Sequence, residues 1–299
     1  MRPGSYGLLH LIVLLLALPL AACSAPAGSP DSAPDLPLTT IQNKGSDTMV
    51  NLALAWAEAY QAAHPEVSIS VTGGGSGTGI TALASNTVDI ANASRAIKPE
   101  EIESMQANGI DPIEFIVARD AIAIIVNPDN PIDRLSLEQL SAIYAGSVNN
   151  WREVGGEDRP IVRLSRETNS GTHVYFLEEV LRLGDSSSTL LFSPDTLLLP
   201  SSEGITSEVR DNPNAIGYDG LGYVTPEVKV LQVAAAGRSQ YYLPSAATVN
   251  DKTYPIARDL YMYTAGPPST IEQAYLQWIL SPSGQHYVQE LGFVPVVAP

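Results

Sequence analysis

The chain has 299 residues, 44% of them hydrophobic, and carries 32 Asp and Glu against 16 Lys and Arg, a formal net charge of −16 at pH 7. This length holds a leader and two lobes of ordinary domain size. The acidic balance, with no basic run or aromatic-basic stripe, excludes a nucleic-acid partner, and the single cysteine excludes an intramolecular disulfide.

The first 22 residues read as a secretory signal peptide. Arg2 precedes a leucine-rich run from Leu8 to Leu20, which ends in Leu20-Ala21-Ala22-Cys23. An apolar run of this length followed by small residues is a signal rather than a membrane span. Leu-Ala-Ala-Cys is similar to the bacterial lipobox, which makes Cys23 the expected lipid-attachment residue. Residues 23–37 are rich in Pro, Ala and Ser, with Pro26, Pro30, Pro34 and Pro37, and read as a semi-rigid tether. The expected location is extracytoplasmic, held to a membrane by lipid.

From residue 38 the chain alternates between strand and helix patterns. Met49, Leu52, Ala53, Trp56 and Tyr60 fall at helical spacing, and His64-Pro65 ends the stretch. Val67 to Val71 alternates as a strand does and runs into the glycine-rich Gly73 to Gly79, with a short helix expected from Ile80 to Ala84. The apolar Val88 to Ala91 leads into Asn92-Ala93-Ser94-Arg95. Ile113 to Val117 and Ala121 to Val126 are β-branched and apolar, interrupted by Arg119-Asp120. Such alternation predicts an α/β architecture with parallel strands, in which ligands settle beyond the carboxyl ends of the strands.

Four loops carry the candidate chemistry. In Arg166-Glu167-Thr168-Asn169-Ser170-Gly171-Thr172, a guanidinium stands four residues ahead of a hydroxyl-glycine-hydroxyl turn that opens an apolar stretch. Planar guanidinium donors, two hydroxyls, a close-approach glycine and the free amides of a helix start suit a tetrahedral oxyanion. An ordinary N-cap beside a surface arginine has the same residues. Ser46-Asp47-Thr48 likewise fits a cap or a ligand loop. Gly73 to Gly79 is not a P-loop, since no Gly-Lys-Ser/Thr follows. It is not a nucleophile elbow either, because Thr78 holds the second glycine position. With Ser94-Arg95, the four loops supply hydroxyls, amides and two arginines, with almost no base or nucleophile.

These segments resemble the phosphate-binding proteins of bacterial phosphate ABC transporters, members of the periplasmic binding protein superfamily. Arg166 through Ser170-Gly171-Thr172 looks like that family's Arg-x-x-x-Ser-Gly-Thr loop. Gly45 to Thr48 falls at its first loop, and Gly75 to Gly79 with Asp89 to Arg95 at the next two. Leu140 to Gly146, Asn150-Trp151, Gly155-Gly156, Ile216-Gly217-Tyr218, Tyr254 to Arg258 and Ser283 to Pro295 continue the likeness in order.

The resemblance implies a two-lobed, type II periplasmic-binding-protein-like α/β fold with phosphate buried between the lobes. Residues 38–119 and 251–299 would form the first lobe and residues 120–250 the second, with crossings near Phe115 to Ile125 and Ala247 to Tyr263. Ser46, Asp47, Thr48, Ser76, Ser94 and Arg95 of the first lobe, and Arg166, Ser170, Gly171 and Thr172 of the second, are the implied phosphate ligands. The implied partners are inorganic phosphate and the permease subunits of an ABC transporter. A monomer is expected, with no cofactor.

One departure bears on selectivity. Members of the family often carry, after the serine of the Asn92 to Arg95 loop, an aspartate that accepts the proton of hydrogen phosphate and so rejects sulfate. Arg95 stands there instead, as in a subset of the family, and is expected to meet the anion or an acidic side chain across the cleft. Asp47 is then the candidate acceptor, with a plain helix-cap role as the other reading. Sulfate, molybdate and tungstate remain alternative ligands. A secreted phosphoesterase is disfavoured: His173 lies inside the expected helix and no elbow supports a nucleophile, so His64, His173 and His286 read as core or surface residues. No His or Cys pair stands at metal-ligand spacing.

Overall fold

A computed structural model describes residues 38–297, so the expected signal, Cys23 and the tether lie outside the described residues. In chain order it begins with β1 (Thr39–Gly45), α1 (Val50–Ala63), β2 (Val67–Thr72), α2 (Ser76–Ala84), β3 (Ile90–Ala93), α3 (Pro99–Ala107) and β4 (Ile113–Val126). Then follow β5 (Arg134–Ser136), α4 (Leu137–Tyr144), β6 (Val162–Arg166), α5 (Gly171–Tyr175), β7 (Leu197–Leu199), α6 (Ser202–Asp211), β8 (Ala215–Gly220), β9 (Lys229–Val230), β10 (Gln232–Ala234) and α7 (Ala246–Asn250). The chain closes with β11 (Ala257–Thr264), α8 (Thr270–Ile279) and α9 (Pro282–Glu290).

The strands run in the order β2-β1-β3-β11-β4-β8-β6-β7. β1 pairs in parallel with β2 and β3, and β6 with β7 and β8, as the alternation predicts. β4 and β11 are antiparallel, to each other and to their other neighbours. β4 is one unbroken strand of 14 residues and not two. Its first part, to Ala121, pairs with β11, and its second, from Ile122, pairs with β8, so one strand serves two lobes.

The two largest hydrophobic cores lie on either side of this crossing. Leu52, Trp56 and Tyr60 of α1 pack with Val117, Ala118, Leu260, Tyr275 and Phe293 in the first. Ile122, Ile124, Tyr144, Trp151, Phe176 and Tyr218 pack in the second. The helical spacing read from Leu52 to Tyr60 is therefore a buried face, and Trp56 is fastened further by its indole N–H donating to Gly284 O at 2.8 Å. Where the cores part, the crossing strands carry a ladder of charges in register: Arg258 opposite Asp120 and Asp259 opposite Arg119. Strand alternation buries the first rung, at 2.8 Å, and leaves the second, at 3.3 Å, partly open to water. The Arg119-Asp120 step that breaks the apolar pattern is thus a paired pair of charges inside a strand, which is why it does not end the strand.

α2 starts at Ser76, four residues earlier than the periodicity predicts, and takes Gly77 and Gly79 into its first turns. Gly75, at φ +95°, makes the sharp entry. A methyl group on Gly79 would stand 2.5 Å from Lys44 O and 2.7 Å from Gly45 Cα, so this glycine lets the helix lie against β1. Gly79→Ala is therefore expected to lower stability by about 1–3 kcal/mol in chemical denaturation. At an open helical site the same change would be a gain of up to about 1 kcal/mol; a gain here would disprove the close packing. No helix among the described residues is long and apolar enough to cross a membrane.

Candidate functional site

The first three loops follow the carboxyl ends of β1, β2 and β3, and the fourth follows β6, so all four meet at one edge between the lobes. Ser46 is 2% exposed; its amide donates to Asn92 O at 2.8 Å and its hydroxyl has no protein partner. Thr48 Oγ1 lies 2.7 Å from Thr172 Oγ1 of the other lobe. Ser76 Oγ accepts the Ser94 amide at 3.0 Å and lies 3.3 Å from Ser94 Oγ. Both face Gly171, whose missing side chain is what admits them: a Cβ there would overlap Ser76 Oγ and sit 2.6 Å from Ser94 Oγ. Ser170 caps α5, its Oγ accepting the Thr172 amide at 3.2 Å. Ser46, Thr48, Ser76, Ser94, Ser170, Gly171 and Thr172 are brought together, all of the named side chains buried.

Arg166, 1% exposed, is engaged on every side. Its Nη1 donates to Ser202 Oγ at 2.8 Å and its Nη2 to Pro200 O at 2.8 Å, while Nε reaches Leu199 O at 3.4 Å. Nη2 also pairs across the lobes with Asp47 Oδ2 at 2.9 Å. The same carboxylate oxygen takes the Ser202 amide at 3.0 Å, so Asp47 ties the first loop to Arg166 and to the start of α6. Asp47 thus combines a helix-start contact with a cross-lobe ion pair. Asn169 makes a second tie: its carbonyl accepts Gly77 N–H at 3.1 Å and its Nδ2 donates to Gly74 O at 2.9 Å.

Arg95 is turned onto Glu101 of its own lobe, with bonds of 2.8 and 2.6 Å, and its Nε is buried without a partner. Burial would raise the Glu101 pKa, but the Arg95 guanidinium and the Lys98 amide outweigh it and hold the carboxyl below its ordinary value. The acidic partner expected for Arg95 exists, though on the same side of the cleft.

Sequence reasoning missed Arg258. It donates through Nη1 to Ser94 O at 2.9 Å and through Nη2 to Thr172 Oγ1 at 2.9 Å, while the buried Asp120 holds its Nε and Nη2 at 3.2 and 2.8 Å. Burial pushes the Asp120 carboxyl up and Arg258 opposes it. The recognised segment Tyr254 to Arg258 contained this residue, but only the β4–β11 register carries it to the site. Ser202 and Asp219 were also missed, since no motif marks them.

His173 is 7% exposed, its Nδ1 lies 3.0 Å from Ser165 Oγ, and its ring stacks on Phe192 at 4.5 Å. Burial lowers its pKa. Ser165 is itself fully buried and shares its hydroxyl with Tyr218, so this pair is part of the core. Among the described residues no group of three or more His, Cys, Asp and Glu is arranged to hold a metal ion.

A family model described as a PBP superfamily domain matches residues 29–283. The chain is 33% identical over 275 residues to the phosphate-binding protein PstS of Pseudomonas aeruginosa, covering 86% of this chain and 83% of that protein. It is 30% identical over 253 residues to the phosphate-binding protein PstS of Bacillus subtilis, covering 84% and 79%. A Clostridium perfringens protein solved with bound phosphate superposes with a TM-score of 0.76 at 30% identity, over 87% of this chain and all of that one. An ABC-type phosphate transport receptor from Vibrio cholerae gives 0.69 at 29% identity, over 86% and 100%. Two α/β lobes sharing crossed strands, hydroxyl loops at the strand ends and this set of relatives agree: the chain belongs to the PBP superfamily, within the family of the PstS phosphate-binding proteins.

Proposed function

We propose that this protein is an extracytoplasmic solute-binding protein that captures inorganic phosphate between its lobes and delivers it to the permease of an ABC transporter. The observation that carries the reading is the burial, at one edge, of hydroxyls from three first-lobe loops against Arg166 and the Ser170-Gly171-Thr172 turn. Such a set of fixed donors in a water-poor site suits an oxyanion. No base with access to a nucleophile stands among them, so the site is suited to bind and release. The names of the curated relatives, and the phosphate bound to the Clostridium perfringens protein, support phosphate in particular.

In this reading residues 38–119 and 251–299 close against residues 120–250 about the β4–β11 crossing. Each lobe supplies part of the donor set, so the closed state is favoured by the ligand itself. Cys23 carries the lipid that holds the protein at the membrane after removal of residues 1–22, and the monomer is the working form. Calorimetric titration of phosphate-free protein is the test. Tight one-to-one phosphate binding, with sulfate, molybdate and tungstate much weaker and no hydrolysis of a phosphate monoester, is the expected result. Equal affinity for sulfate would replace phosphate with a general oxyanion, and turnover would make the protein a phosphoesterase.

A further inference from the structure

Asp219, near the end of β8, is completely buried behind Arg166. Its Oδ1 accepts the Ser202 hydroxyl at 2.8 Å and the Gly220 amide at 2.8 Å, while Oδ2 is buried with no partner. Because Ser202 Oγ also accepts Arg166 Nη1 at 2.8 Å, a single hydroxyl joins the carboxyl to the guanidinium. An unpaired buried oxygen costs far more as an anion than as a neutral hydroxyl.

The surroundings sharpen this. Arg166 of β6 and Asp120 of β4 are the charged groups that act on Asp219; Asp47 after β1 pairs with Arg166 and Arg258 of β11 with Asp120, while Asp47, Asp219 and Glu203 of α6 surround the neighbouring Tyr223. Arg166 and Arg258 are the two cations of this set. Against them stand Asp47, Asp120 and Asp219, so the inner cluster has one negative charge too many when all three carboxyls are ionised. A divalent oxyanion entering beside it makes the excess larger.

We infer that Asp219 is the proton-accepting group of the site: capture of hydrogen phosphate carries one proton from solvent onto its carboxyl, and Ser202 links that neutral carboxyl to Arg166. The inference rests on the phosphate-binding reading above. Asp219 would be a positioning residue, acting on the ligand through Arg166. Its environment suits the role, since burial pushes its pKa up to about 7 against the pull of Arg166 and the Ser202 and Gly220 hydrogen bonds. A bound anion pushes it in the same direction. By linkage, affinity expressed for the dianion is steady where the carboxyl is already protonated and falls as pH rises above that point, by up to about tenfold per pH unit.

The test is phosphate titration of the full chain in two buffers of different ionisation enthalpy, at about pH 6 and about pH 8, which counts protons exchanged on binding. At the higher pH phosphate is already the dianion, so uptake reports the protein. The expected result is uptake approaching one proton at the higher pH and net release at the lower, where free phosphate is mostly the monoanion and sheds a proton to bind as hydrogen phosphate while the carboxyl is already protonated; Asp219→Asn abolishes the uptake at the higher pH and leaves the release at the lower. In the infrared difference spectrum of the wild type at the higher pH, phosphate should bring up a protonated-carboxyl C=O band. Binding with no proton uptake, uptake undiminished in Asp219→Asn, or no such band in the wild type overturns the role of Asp219. Failure to bind phosphate at either pH instead removes the functional reading on which the inference stands.

Discussion

Arg166→Met is expected to weaken phosphate binding by roughly 100- to 1,000-fold, the range that follows from removing one partner of a buried, hydrogen-bonded charge set. Methionine has a similar length and no charge, so packing changes little while the only cationic member of the Arg166 to Thr172 loop is lost. The loss acts twice. The site loses the guanidinium charge that would meet the anion, and Asp47 Oδ2 loses its cation at 2.9 Å, leaving a carboxylate with only the Ser202 amide to hold it. Arg166→Lys keeps the charge but not the fork, and cannot serve Ser202, Pro200 and Asp47 together; its affinity should fall between those of the wild type and the methionine variant. Calorimetry of the three proteins decides: equal affinities would place Arg166 outside the anion's reach.

Gly171→Ala should be nearly as damaging for a different reason. The added methyl overlaps Ser76 Oγ and lies 2.6 Å from Ser94 Oγ and 3.0 Å from Ser76 Cβ, all across the lobe boundary. The three atoms nearest the added methyl all belong to Ser76 and Ser94 of the first lobe, so the second lobe itself should fold. The two halves would instead be wedged apart, with a cost of overpacking that lowers phosphate affinity by about 100-fold. Small-angle scattering gives the separating readout. Wild-type protein should contract on adding phosphate while the alanine variant keeps its larger radius, with an unchanged far-ultraviolet spectrum. A variant that binds and contracts normally would show that Gly171 does not meet Ser76 and Ser94 in the closed state.

The parts of this architecture visible in the sequence are those written locally. Leu52 to Tyr60 declares a helix face because the period is 3.6, and Val67 to Val71 a strand because it is two. The hydroxyl loops are visible as short runs, and the structure places Ser46, Thr48, Ser76, Ser94, Ser170 and Thr172 side by side. What stayed hidden depends on pairing at a distance. Arg258 reaches Ser94 and Thr172 only through the antiparallel register of β11 on β4, and Ser202 reaches Asp47 only once the lobes face each other. The glycine run misled for a local reason. Glycine weakens a helix by itself, but at Gly79 the contact with β1 excludes any side chain, and packing overrides propensity.

The order of the chain through the first core has a mechanical meaning. β1 starts at Thr39, immediately after residues 1–38, and α9 packs on α1, so both ends of the described chain belong to the same body. If the proposed tether holds the protein, a pull along it would reach β1 and its neighbours before β6 or α6. In the proposed reading, with the lipid on Cys23 and closure about the β4–β11 crossing, the body so held is the stator, and the one bearing Arg166 is the rotor. A receptor built this way can be moored on a short line without stiffening its own jaw, and the arginine that would grip the ligand rides on the part left free to swing.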